Sequence, residues 1–121
     1  MIYIFSAFYA EAKNIIDHYG LKKEKSPEMV RFDVFTNESI RLVITGVGEI
    51  NAAAAVSNIG GAYGISPDDE ILNVGCGAGF SSDICLGSIF LGNKLTEQMT
   101  GRTFYPDMPV SYTHLRAHET L

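Results

Sequence analysis

The stretch Ile71-Leu72-Asn73-Val74-Gly75-Cys76-Gly77-Ala78-Gly79-Phe80 decides the fold class of this chain. An apolar segment of strand length runs directly into three glycines at alternate positions. Glycines just past a strand let a ligand approach the backbone and its N–H groups, and so many glycines are unfavourable unless the backbone needs them. The stretch therefore predicts a strand of an α/β sheet followed by a loop, residues 75–79, that borders a ligand.

The bulk composition describes one globular domain. Hydrophobic residues make up 46% and charged residues 19% of the 121 residues, a balance typical of a folded domain. The net charge of −5 without a basic cluster argues against a nucleic-acid partner. No apolar run reaches membrane-spanning length, the first residues lack the basic flank of a signal peptide, and two cysteines make no disulfide framework. We therefore expect a cytoplasmic protein that does not associate with membranes.

The order of apolar and polar segments predicts an α/β domain with a mixed sheet and ligand loops at strand ends. Strands are predicted at residues 2–6, 30–36, 40–45 and 70–74, with a further apolar run from 89, and helices at 10–19 and from 50, fading at 60–64. Residues 22–27 form a polar connection, Gly20 is a stop signal for the first helix, and residues 37–39 form the turn of a hairpin.

A methyltransferase that uses S-adenosylmethionine is one alternative, because its nucleotide-binding strand also ends in a glycine loop. That fold needs a crossover helix of about a dozen residues after the glycines. Here the apolar run restarts at Ile89, and position 73 is Asn instead of an acidic residue. Both features disfavour the methyltransferase interpretation.

Two further segments combine with the glycine stretch. They are Ser6-Ala7-Phe8-Tyr9-Ala10-Glu11 and Thr45-Gly46-Val47-Gly48, the latter followed by an alanine-rich helix. In this order the three motifs resemble the nucleosidase branch of the purine nucleoside phosphorylase superfamily, typified by 5′-methylthioadenosine/S-adenosylhomocysteine nucleosidase. The resemblance covers residues 1–108, and of the family's run of glutamates that opens the first helix only Glu11 survives.

The resemblance implies a phosphorylase/hydrolase-like three-layer fold and a homodimer that cleaves the N-glycosidic bond of a purine nucleoside without cofactor or metal. It implies that Glu11 is the catalytic residue, holding or activating the attacking water. The substrate-binding residues that it implies are Ala7, Thr45, Gly46, Val47, Gly48, Cys76, Gly77, Ala78 and Gly79. Phosphorylases of this superfamily carry arginines on the first loop and before the third-loop glycines, whereas this chain has none there.

Four alternatives stay open from the residues alone. They are a purine nucleoside phosphorylase, a futalosine hydrolase, the methyltransferase and a non-catalytic nucleoside-binding protein. Glu11 also has a structural interpretation as a solvated acid in the first turn of a helix, where the helix dipole favours it. Residues 45–48 also have an interpretation as a plain strand-to-helix turn. The 5′ substituent of the nucleoside is not readable from this sequence.

Residues 109–121 resemble the in-frame translation of a transposon-end sequencing adapter. We therefore discount His114, His118 and Glu119, which have metal-ligand spacing. On this interpretation the family's ribose clamp and general acid would lie in a missing C-terminal part. We expect the sheet of the 121-residue chain to be incomplete, with exposed apolar surface, and the chain itself to be inactive and poorly folded.

Overall fold

The structure, a computed structural model, describes residues 1–106. The adapter-like residues 109–121, with His114, His118 and Glu119, lie outside the described residues. The chain divides into a first compact unit, Met1–Ala78, and a second that begins at Gly79. The elements of the first unit are β1 (Ile2–Ser6), α1 (Tyr9–Tyr19), β2 (Lys22–Lys23), β3 (Asp33–Thr36), β4 (Ile40–Ile44), α2 (Glu49–Tyr63) and β5 (Glu70–Asn73). Its five strands form one mixed sheet in the order β2-β3-β4-β1-β5, which confirms the predicted mixed α/β class.

The core lies on both faces of this sheet, because successive side chains of a strand point to opposite faces. On one face Tyr3 and Phe5 of β1 pack with Ala55 and Ile59 of α2. On the other face Ile4 packs with α1 and its neighbours in a cluster made of Ile4, Ala12, Ile16, Leu21, Ile40 and Leu42. The first unit therefore has one helix on each face of the sheet.

The directions of the strands determine at which edge of the sheet their carboxyl ends lie. β1 lies between β4 and β5 and is parallel to both, with Ser6 opposite Ile44 and Phe5 opposite Asn73. The carboxyl ends of the three strands therefore meet at one edge of the sheet. β5 is the last strand of this sheet within the described residues, and its side chains are exposed, Ile71 by 53% and Leu72 by 43%.

The first helix ends as predicted, while the second runs beyond its predicted end. Gly20 has a left-handed backbone (φ 64°), and its N–H donates to the Ile16 carbonyl. α2 does not fade at residues 60–64 but continues to Tyr63, where Gly64 (φ 69°) ends it in the same way. Tertiary packing is the reason, since Ile59 is fully buried against the sheet and Tyr63 packs at the rim of the same cluster.

The hairpin between β3 and β4 is confirmed, but the prediction that its first strand starts at residue 30 is wrong. The N–H groups before Asp33 are used elsewhere: Val30 donates to the Pro27 carbonyl at 2.9 Å, and Arg31 donates to Oδ1 of Asn58 on α2 at 3.0 Å. A short strand, β2, which the polar composition did not predict, pairs with the outer side of β3.

The second unit contains, within residues 79–106, the antiparallel pair β6 (Leu95–Thr96) and β7 (Thr103–Phe104). The strand predicted from Ile89 is wrong, since residues 89–91 are exposed and belong to no strand. In the turn, the Glu97 carboxylate accepts hydrogen bonds from the hydroxyl and the N–H of Thr100, both at 2.6 Å, and these bonds lower the pKa of Glu97. No helix among residues 1–106 is long and apolar enough to cross a membrane.

A cluster around Arg41 joins the sheet to α2 near the amino end of β4. The Arg41 guanidinium lies over the Tyr63 ring, 3.9 Å from its centroid, and donates to the Tyr3 hydroxyl at 3.0 Å. It also pairs with the Glu24 carboxylate at 3.7 Å, which accepts a hydrogen bond from the Tyr63 hydroxyl. Burial and the bond to Glu24 raise the pKa of Tyr63. This cluster lies at the opposite end of the parallel strands from the glycine loops.

Candidate functional site

Three loops meet at the carboxyl edge of the parallel strands. The first loop (residues 7–8) follows β1, the second (residues 45–48) follows β4, and the third (residues 74–78) follows β5. Backbone hydrogen bonds join the first two, since the Thr45 N–H donates to Ser6 at 2.8 Å and the Gly46 N–H to Ala7 at 3.1 Å. The Val74 N–H donates to the Phe5 carbonyl at 2.9 Å and continues the ladder beyond β5. The three sequence motifs therefore lie side by side in the fold, with the first in the centre.

Glu11 lies on the first turn of α1 and contacts the third loop. Its Oε2 accepts a hydrogen bond from the Cys76 N–H at 2.8 Å, and a Cβ added to Gly75 would lie 3.6 Å from the same oxygen. Its second oxygen, Oε1, is buried and has no hydrogen-bond partner among residues 1–106. Buried polar groups without partners are uncommon in folded proteins, and a catalytic role or a bound water is among the explanations for them. The fold thus brings together a carboxylate and a glycine loop that are 65 residues apart in sequence.

The second loop has a backbone that only glycine adopts readily. Gly46 has φ 85° and Gly48, the residue before α2, has φ 95°, both in the left-handed half of conformational space. Thr45 is buried and its hydroxyl donates to the Gly46 carbonyl at 2.7 Å, while Val47 is exposed. An open depression of about 610 Å³, lined by residues 47–51, lies beside this loop, and Glu11 is not among its described lining residues.

The glycines of the third loop have a different explanation. Gly75, Gly77 and Gly79 all lie outside the left-handed region, so no turn geometry requires them. A Cβ on Gly77 would meet no described atom within 4 Å, and Cys76, Gly77 and Ala78 are exposed. Gly79 belongs to the second unit, where a Cβ would lie 2.9 Å from Cγ2 of Ile84. Close approach to Ile84 explains glycine at 79, but nothing within the described residues explains it at 77.

The charges around the three loops are acidic. None of the three loops contains lysine or arginine, while Glu11 and the exposed Glu49 lie on the first turns of the two helices. Within residues 1–106 no group of three His, Cys, Asp or Glu side chains is placed to hold a metal ion. The arrangement suits a carboxylate that accepts a proton or holds a water molecule beside exposed backbone amides.

The structure places nine of the ten predicted site residues on the first unit, at this edge. Ala7, Glu11, Thr45 to Gly48 and Cys76 to Ala78 lie on the three loops and the first turn of α1. Asn51 is not among the residues predicted from the sequence, but its side-chain amide donates to the Val47 carbonyl at 2.7 Å. An amide side chain four residues after a loop carbonyl, at the start of a helix, is the signal that identifies it.

Comparison of the chain with protein-family models, with curated proteins and with solved structures found no match.

Proposed function

We propose that this chain is the N-terminal part of a purine nucleoside hydrolase that resembles the methylthioadenosine/S-adenosylhomocysteine nucleosidases. The proposal concerns the parent protein, by which we mean the product of the natural reading frame that contains residues 1–108. One observation carries it: the Glu11 carboxylate is bound to the third glycine loop through Oε2, while Oε1 is buried without a described partner. Three motifs that resemble those of the family, in the same order, support it as well, and the parts of them that lie within residues 6–78 meet at one edge of the sheet.

The chemistry requires a base for water at this position. As the bond from the anomeric carbon to the purine nitrogen breaks, its electron pair leaves with the purine, which takes up a proton from the general acid that the resemblance implies outside residues 1–108. The water oxygen bonds to the anomeric carbon and gives a proton to Glu11. A positioned carboxylate of this kind contributes about 10²- to 10⁴-fold to a rate.

The loop charges favour water over phosphate as the nucleophile. Phosphate binding relies on arginine or lysine side chains or on several backbone amides aimed at one anion. None of the three loops carries a cationic side chain, and Glu11 would repel a phosphate dianion. A phosphorylase with this edge would therefore bind its second substrate poorly.

The methyltransferase alternative finds little support in the fold. Residues 80–94 contain no α-helix, whereas a nucleotide-binding crossover would place one directly after the glycine loop. Because β1 and β5 are parallel, α1 begins at the same edge as the third loop, and the Glu11 carboxylate of α1 bonds that loop. Methyl transfer does not need a carboxylate at this place.

The test is purine release by the parent protein and by its Glu11→Gln variant. The amide keeps the size of the side chain and an acceptor for the Cys76 N–H but cannot take a proton from water. We expect 5′-methylthioadenosine to yield adenine and free sugar without phosphate, and Glu11→Gln to lower kcat by about 10²-fold or more. Glu38→Gln, an exposed acid in the β3–β4 turn, is the matched control and should behave like the unmodified protein. Equal rates for Glu11→Gln and the control would remove Glu11 from the mechanism.

A further inference from the structure

The second glycine loop is held from two sides. On one side the Gly46 N–H donates to the Ala7 carbonyl of the first loop at 3.1 Å. On the other side Nδ2 of Asn51, in the first turns of α2, donates to the Val47 carbonyl at 2.7 Å. Asn51 also packs against the loop, since a Cβ on Gly46 would lie only 3.1 Å from Nδ2. The Asn51 side chain occupies the space beside Gly46 while it bonds the next residue along the loop.

This double attachment has a consequence for ligand binding. A loop with two left-handed glycines, Gly46 and Gly48, has many accessible conformations when it is free. If the loop is already ordered before the ligand binds, the conformational entropy lost on binding is smaller and the affinity is higher. We propose that Asn51 is a positioning residue that presets the conformation of residues 45–48 for the nucleoside, an inference that rests on the proposed function.

The role predicts a specific change in kinetics. Asn51→Asp keeps the size of the side chain, but the carboxylate has no proton to donate to the Val47 carbonyl. Loss of this one hydrogen bond should raise KM about three- to tenfold. It should leave kcat within about twofold, since Asn51 touches neither Glu11 nor the third loop in the described contacts. Asn51→Ser should recover most of the affinity, because a serine hydroxyl can donate to the carbonyl four residues earlier in a helix.

The experiment measures KM and kcat of the parent protein and of Asn51→Asp, Asn51→Ala and Asn51→Ser, with Asn14→Asp on the exposed side of α1 as control. Hydrogen–deuterium exchange at the Gly46 amide, without nucleoside, gives a readout that does not depend on activity. We expect faster exchange and a higher KM in Asn51→Asp and Asn51→Ala, with both largely restored in Asn51→Ser.

Each outcome decides something different. If the parent protein is active and Asn51→Asp keeps its KM, or the three variants share one KM, the positioning role is wrong while the proposed function stands. Faster exchange with an unchanged KM likewise shows a purely structural bond and overturns the inference. If the folded parent protein neither binds nor cleaves a nucleoside, the proposed function fails and the role of Asn51 in it fails too.

Discussion

The substitution Gly77→Ala tests whether the third loop borders a ligand or has only a structural role. The added methyl group meets no described atom within 4 Å, and the φ of Gly77 lies outside the left-handed region. Alanine therefore fits the folded backbone without strain. Alanine also restricts the unfolded chain, which favours the folded state. The substitution should therefore raise the free energy of unfolding by up to roughly 1 kcal/mol, or lower it by no more than about 0.5 kcal/mol.

The effect on activity should be large by comparison. If the nucleoside packs on the Gly77 backbone, a methyl group there displaces it by about 1 Å, and misplacement on that scale reduces a rate by about 10²-fold. We therefore expect kcat/KM to fall by roughly 10- to 100-fold. Gly92→Ala is the matched control, since Gly92 also lies outside the left-handed region with no described atom within 4 Å of an added Cβ.

The assay pairs urea denaturation with purine release for the parent protein, Gly77→Ala and Gly92→Ala. Unchanged stability with unchanged kcat/KM in Gly77→Ala would show that no ligand lies against this loop. A loss of stability well above 1 kcal/mol would also refute the reasoning, because it would mean that folding itself requires glycine at this position.

Two predictions concern stability away from the site. Arg41→Met should lower the free energy of unfolding by about 2–3 kcal/mol in urea denaturation, because it removes a stacked, hydrogen-bonded guanidinium. Arg41→Lys should lower it by roughly 1 kcal/mol, because an ammonium lacks the planar group that stacks on Tyr63 while it donates to the Tyr3 hydroxyl. The Ser66 N–H and the amino terminus lower the pKa of Asp69, so its stabilisation is present above about pH 4 and is lost as the pH falls through the folded-state value. Asp69→Asn should therefore flatten the acid side of a stability–pH curve, and a curve that stays parallel to that of the unmodified protein would contradict this.

Much of the arrangement of the site was predictable because parallel strands have a direction. Once strands at residues 2–6, 40–44 and 70–73 are assigned to one sheet, loops that follow them share an edge. Sequence spacing could not predict that Oε2 of Glu11 would bond the Cys76 N–H, since this contact depends on how α1 packs against the sheet. The same limit applies in part to Asn51: its spacing from Val47 is visible in the sequence, but whether the side chain bonds that carbonyl depends on how the loop enters α2.

Where the predictions failed, tertiary contacts replaced local preference. Gly60 and Gly61 weaken a helix by propensity, yet burial of Ile59 extends α2 through them. The apolar run at Ile89 has the composition of a strand, but a strand needs a neighbour, and within the described residues that segment has none. The sequence predicted that the glycines at 75–79 leave room for a ligand; among described atoms only Gly79 has a close neighbour, Ile84, and no described atom explains glycine at 77.

The most direct test is to incubate the purified parent protein with 5′-methylthioadenosine in phosphate-free buffer and to separate the products. We predict one equivalent of adenine and one of free methylthioribose, a rate that added phosphate does not change, and loss of this activity in Glu11→Gln. A folded parent protein that releases no adenine would contradict methylthioadenosine as the substrate, and one that forms a sugar 1-phosphate only when phosphate is present would contradict the hydrolase assignment.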